Sequence, residues 1–176
     1  MRASTLFFPL AALALLGCTA DEETYDYAAP SELCGLNIDP GLLQPLLPPG
    51  KTLAQSSEGS YEGYDICTVT VDSSQALNVG VSFSDEYRDP MQRTTLADSR
   101  REEKIETRVQ GEEAVLWATG VNISFLCEPR EEAKYTVLRL TAQQHSGPSE
   151  PERRERIEAF AENLATAVKQ EHGCSS

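Results

Sequence analysis

Residues 64–83 read YDICTVTVDSSQALNVGVSF, and their periodicity decides the fold class. Cys67, Val69 and Val71 fall on alternate positions, as do Leu77, Val79, Val81 and Phe83. A period of two places each set on one face of an extended strand. Between them Asp72, Ser73, Ser74 and Gln75 are turn-forming residues, so the stretch predicts an antiparallel hairpin with one apolar face. Such a face must be covered by a second layer.

Working outward, the same reading gives further strands at residues 112–118, 121–127 and 134–142, with an edge strand at 51–57. Cys127 shares its face with Val121, Ile123 and Phe125. The covering layer is supplied at the C-terminal end. Ser149 with Glu152 three residues later is a capping box. Ile157, Phe160, Ala161, Leu164 and Val168 then recur at helical spacing, and His172-Gly173 closes the helix. A shorter helix is predicted after Asp39-Pro40, with Leu42, Leu43, Leu46 and Leu47 as its apolar residues and Pro48-Pro49-Gly50 as its stop. Residues 91–109 predict a mostly solvated surface helix through Met91, Leu96, Ala97, Ile105 and Val109. The expected fold is α+β. It has a mainly antiparallel sheet of five or six strands, helices packed on one face, an amphipathic C-terminal helix and two disulfides.

The amino-terminal segment has a different character. Arg2 is followed by LFFPLAALALL at residues 6–16, then Gly17 and Cys18, with the first acidic cluster only at residues 21–23. Positive, apolar and small zones in that order form a secretory signal. As a helix the apolar run rises only about 16 Å, roughly half of a bilayer's hydrocarbon core. Leu15-Leu16-Gly17-Cys18 resembles the bacterial lipobox, which implies acylation of Cys18 and cleavage before it. Residues 1–17 are then a lipoprotein signal peptide. Residues 18–31 form a lipidated flexible tether, and residues 32–176 a single extracytoplasmic domain. The expected location is the extracytoplasmic face of the cell membrane.

Assigning Cys18 to the lipid leaves Cys34, Cys67, Cys127 and Cys174, an even number in an exported chain, which argues for two disulfides. Three pairings are open. Inward-facing Cys67 and Cys127, and the terminal positions of Cys34 and Cys174, favour Cys67–Cys127 and Cys34–Cys174. A metal centre is not expected, because the cysteines lack C-x-x-C spacing and the two histidines, His145 and His172, are far apart.

Fifteen Lys+Arg face 28 Asp+Glu, a formal net charge of −13. Phosphate backbones repel such a surface, so nucleic acid is not an expected partner. The chain has no G-x-S-x-G, H-E-x-x-H or Walker loop. His145 beside Ser146 lacks the spatial arrangement of a nucleophile and its base. The pairs Glu102-Glu103, Glu112-Glu113 and Glu131-Glu132 place neighbouring carboxylates on diverging sides of a strand or helix, which does not suit glycoside hydrolysis. Trp117, on one strand face with Val115, is expected in the core.

The lipobox, LCGLNIDPGLLQPLLPPGK, the strand cysteines of DICTVTVD and FLCEP and the helix ending at Cys174 together resemble small secreted lipoproteins of actinobacteria, streptomycete-like and of unassigned function. That resemblance covers most of the mature chain and implies no catalytic residues. The expected function is a non-catalytic binding or accessory module without a cofactor, serving an envelope protein or small ligand. An envelope-acting enzyme and a structural or assembly factor are the alternatives.

Overall fold

Asp72 and Ser73 both adopt left-handed backbone conformations, with φ of 49° and 66°. They reverse the chain in two residues between β4 (Tyr64–Val71) and β5 (Ser74–Ser84). This is the hairpin of the opening stretch, with Val71 opposite Ser74 and Cys67 opposite Val79. A bulge between Val69 and Thr70 absorbs one extra residue on β5 and restores the alternation. The computed structural model describes residues 24–58, 64–92, 103–127, 134–143 and 148–174, and all that follows concerns those residues.

The hairpin sits inside a seven-stranded antiparallel sheet. Its other members are β3 (Leu53–Glu58), β6 (Ile105–Val109), β7 (Glu112–Trp117), β8 (Gly120–Leu126) and β9 (Tyr135–Ala142), in the spatial order β3-β4-β5-β9-β8-β7-β6. A separate two-stranded ribbon joins β1 (Glu32–Leu33) to β2 (Leu36–Asn37). The expected fold class holds in outline, and the strand count is corrected upward.

The extra strand is β6, which lies where the sequence predicts part of a surface helix. Ile105 and Val109 are four residues apart, a spacing that satisfies both a helical and an extended repeat. Thr107 between them completes an alternating β-branched set, which favours a strand. Gln110 and Gly111, with φ of 51° and 84°, form a two-residue turn that pairs Val109 with Glu112. Left-handed φ at both positions is the hairpin geometry, and it suits glycine. Residues 93–102 of the predicted helix lie outside the described residues.

The helix α2 (Glu150–His172) covers one face of the sheet. Its predicted stripe of Ile157, Phe160, Ala161, Leu164 and Val168 is buried throughout, against Val79, Leu138, Leu140, Val121 and Ile123 in the same core. The Ser149 N–H donates to the Glu152 carboxylate at 2.7 Å, and Gly173 (φ 66°) ends the helix. The short helix α1 (Pro40–Leu43) is capped by Asp39, which accepts from the Gly41 N–H at 2.7 Å. It continues as a single 3-10 turn (Gln44–Leu46) that buries Leu46. Asn163 of α2 accepts from the Asp39 N–H at 2.9 Å, joining the two helices.

The disulfides are Cys34–Cys67 and Cys127–Cys174, with Cα separations of 5.9 and 4.5 Å. The pairing favoured from sequence is therefore corrected. Cys67 lies on β4 and Cys127 just beyond β8, with β5 and β9 between them. Three strand steps span about 14 Å, well beyond the Cα reach of a disulfide. Both cysteines do face inward, as the alternation implied. Each bridges to an outer element, one to the β1–β2 ribbon and one to the end of α2.

Residues 24–31, expected from the sequence to belong to a flexible tether, lie against the domain. Asp26 donates to the Gly50 carbonyl at 2.8 Å, and Ala29 donates to the Gln44 side chain at 2.9 Å. The Tyr27 hydroxyl donates to the Pro48 carbonyl. Burial raises the Tyr27 phenol to about 12. The Tyr25 hydroxyl likewise donates to the Leu47 carbonyl, at 3.4 Å.

Two hydrogen-bonded carboxylates are expected to add to the acid sensitivity of the fold. Asp72 accepts from the Lys51 and Thr52 N–H groups, at 3.1 and 2.9 Å, and these backbone bonds hold its pKa below the ordinary value. The Ser149 backbone does the same for Glu152. A depressed folded-state pKa gives stability that is complete above the unfolded value and lost as pH falls through the folded one. The thermal midpoint is therefore expected to hold steady from neutrality to about pH 5 and to fall below about pH 4. In scanning calorimetry, Asp72→Asn with Glu152→Gln should flatten that fall. An unchanged acid slope in the double variant would exclude both groups as its source.

Candidate functional site

The strand register determines which side chains share the face away from α2. On β8 these are Asn122 and Ser124, on β7 Glu113, Val115 and Trp117, and on β6 Glu106 and Arg108. Asn122 and Ser124 are buried polar residues, a placement that needs hydrogen-bonding partners. The loop after β5 supplies them. The Asn122 amide donates to the Pro90 carbonyl at 3.2 Å and the Ser124 hydroxyl to the Arg88 carbonyl. Within the loop, Met91 N–H donates to Asp89 at 2.8 Å and Arg88 to the Ser84 hydroxyl at 3.3 Å. Residues 85–91 are thus strapped across the sheet by groups that the strand sequence had to bury.

Between this strap and the β6–β7 hairpin lies a recess of about 490 Å³. Tyr87, Asp89 and Met91 form its strap wall, and Glu106, Arg108 and Glu113 its sheet wall, with Val115 in its lining. A smaller recess of about 260 Å³ shares Tyr87, Arg108 and Glu113 and extends to Tyr135. The larger volume is in the range of small-ligand sites. Tyr87 is fixed at the junction. Its hydroxyl donates to the Glu113 carboxylate, and its ring meets Tyr135 edge to face with centroids 5.7 Å apart. The bond to Glu113, followed by burial, raises the phenol to about 12. At neutral pH Tyr87 is an aromatic wall with a committed O–H, and not a proton acceptor.

Arg108 donates to the Gly111 carbonyl at 2.8 Å, so its guanidinium is drawn toward the hairpin turn. Three carboxylates, of Asp89, Glu106 and Glu113, remain around the recess against that one cation. Among the described residues, no three His, Cys, Asp or Glu side chains are gathered closely enough to hold a metal ion.

The residues weighed in the sequence fall elsewhere, with one exception. Cys18, His145 with Ser146, Glu102, Glu131 and Glu132 lie outside the described residues. Glu112 and Glu113 do diverge across β7. Glu112 pairs with Lys169 of α2 at 2.6 Å, and Glu113 turns to Tyr87 on the other face. Glu103 pairs with Arg154 at 3.3 Å. His172 stacks edge to face on Phe83, with centroids 4.8 Å apart. Trp117 is buried, as expected, but on the face away from α2. The Arg139 guanidinium lies 5.9 Å from its ring centroid, and Gly120 gives the ring room. A Cβ at Gly120 would stand 2.5 Å from the indole and 2.4 Å from the Leu140 carbonyl.

Among the polar residues of the recess the sequence points to Glu113 alone, for a different role, and gives no local signal for Tyr87, Asp89 or Arg108. The signal available for the strap was Asn122 and Ser124, polar residues in an otherwise apolar strand. No protein-family model, curated protein or solved structure matches this chain.

Proposed function

We propose that this chain is an extracytoplasmic lipoprotein, anchored by an acylated Cys18, whose domain is a non-catalytic binding or accessory module for an envelope partner or small ligand. The observation that carries the binding role is the recess between the 85–91 strap and the β6–β7 hairpin. Its aromatic corner, Tyr87 on Tyr135, is held by Glu113 and by the facing ring. Preorganised walls of this kind lower the ordering cost of binding. The neutral, committed phenol of Tyr87 suits a contact surface better than acid–base chemistry. Two disulfides agree with an oxidising compartment outside the cytoplasm. No helix among the described residues is long and apolar enough to cross a membrane. The lipobox at Leu15–Cys18 would supply the attachment, and two acyl chains make it stable. The kinship proposed is with the small actinobacterial lipoproteins that the cysteine framework resembles.

Two measurements test this reading. Mass spectrometry of the membrane fraction is expected to find a mature terminus at a diacylated Cys18, and an unmodified thiol there would remove the anchor. Proximity labelling at the native surface is expected to mark a defined set of envelope components. Tyr87→Ala with Glu113→Ala should deplete that set. Labelling that is identical in the wild type and the double variant would show that the recess does not bind.

A further inference from the structure

The β6 strand ends the sheet, and among the described residues its outer edge carries no partner strand. The two-residue turn makes Val109 and Glu112 a hydrogen-bonded pair, so the pattern of an antiparallel ladder commits Thr107 and Ile105 to β7 as well. The N–H and C=O groups of the intervening residues, Glu106 and Arg108, point outward. Among the described residues no strand lies beyond them. The β6–β7 register runs without a bulge, and Ile-Glu-Thr-Arg-Val contains no proline. Proline and bulges are the usual ways an edge is closed to further pairing.

The side chains of the same two residues line the 490 Å³ recess. A strand added to β6 would place the side chains opposite Glu106 and Arg108 on that face, one strand spacing of about 4.8 Å outside the recess rim. From there long basic side chains reach inward toward Asp89, Glu106 and Glu113, while Arg108 is engaged with the Gly111 carbonyl. The edge thus supplies backbone pairing, and the recess supplies a negative pocket for every second side chain.

We propose that β6 is the docking edge for an extended peptide segment with Lys or Arg at alternate positions, bound by strand addition with its basic side chains reaching toward the recess. This rests on the binding-module reading and names the ligand class of that site. The formal charge of −13 opposes pairing of two copies through the same edge.

The test is fluorescence anisotropy of the full chain in detergent with a labelled peptide alternating lysine and threonine. The peptide is expected to bind, increasingly weakly as salt rises, and a glutamate–threonine counterpart is expected not to bind. Methylating alternate backbone nitrogens in one phase should weaken binding at least about tenfold, and in the other phase little, because only alternate N–H groups face β6. Arg108→Pro deletes an outward donor without touching the β6–β7 ladder. It should bind at least about tenfold more weakly than Arg108→Ala, which loses the same cation and the same bond to the Gly111 carbonyl but keeps the outward backbone donor.

Three results would overturn the proposal: no binding of the lysine peptide, equal binding of both methylated phases, or a dimer in sedimentation that Arg108→Pro abolishes. If Arg108→Pro does not fold, the methylated peptides decide alone. Recess-dependent proximity labelling without peptide binding would sink this inference and leave the binding-module reading standing. Loss of both would sink both.

Discussion

Phe160→Ala is expected to lower the free energy of unfolding by about 3–5 kcal/mol, read as a shift of the urea midpoint at constant slope. Phe160 is fully buried at the middle of α2, where a truncated ring leaves a void that the sheet is too stiff to fill. Leu138 and Leu140 of β9 and Ile123 of β8 are held by ladders on both sides. The helix cannot settle inward either. Ala161 and Ala165 already bring its backbone close to the strands, with no exposed surface left. Both partners are therefore rigid, and the loss should sit at the high end for an aromatic truncation. Glu155→Ala, one turn earlier on the exposed side, should change stability by less than about 0.5 kcal/mol. A Phe160→Ala loss below about 1 kcal/mol would mean that α2 does not cover this sheet.

That stripe was legible because it needs only local information. Five apolar residues at helical spacing admit one interpretation, and so do Leu77, Val79, Val81 and Phe83 at spacing two. Ile105 and Val109 were not legible for a corresponding reason. Four residues is close to one helical turn and also two strand repeats, so the apolar pair alone cannot choose. The deciding feature was Gln110-Gly111, which makes sense as a hairpin turn only once 105–109 is extended. Glycine after an acid-rich segment reads equally well as a helix end.

The recess depended on information of another order. Tyr87 lies in a loop and Glu113 at the start of a strand, 26 positions apart. They meet because β5 and β7 are separated by β9 and β8, with the strap crossing that interval. No periodicity encodes the crossing. Its trace in the sequence is indirect: Asn122 and Ser124 spend their donors on the carbonyls of Pro90 and Arg88. A buried polar residue in an apolar strand signals that something must come to it, without saying what.

Replacing Cys127 and Cys174 together by alanine is expected to cost about 4 kcal/mol, the entropy of an unfolded loop freed over a separation of 47 residues. Cys34 and Cys67, 33 apart, should cost nearly as much by the same argument. The two losses differ in where they are felt. Without Cys127–Cys174 the last turn of α2 loses its covalent tie to the sheet and relies on non-covalent contacts such as the Lys169–Glu112 ion pair and the His172–Phe83 contact, so amide exchange should accelerate there first. Without Cys34–Cys67 the β1–β2 ribbon loosens and α2 stays protected. Peptide mapping without reduction carries the stronger consequence. The strand order β4-β5-β9-β8 keeps Cys67 and Cys127 about 14 Å apart, so bridge and topology stand or fall together. A recovered Cys67–Cys127 peptide would require β4 and β8 to be neighbours, a different sheet. Recovery of Cys34–Cys67 and Cys127–Cys174 is the outcome that the order β3-β4-β5-β9-β8-β7-β6 requires.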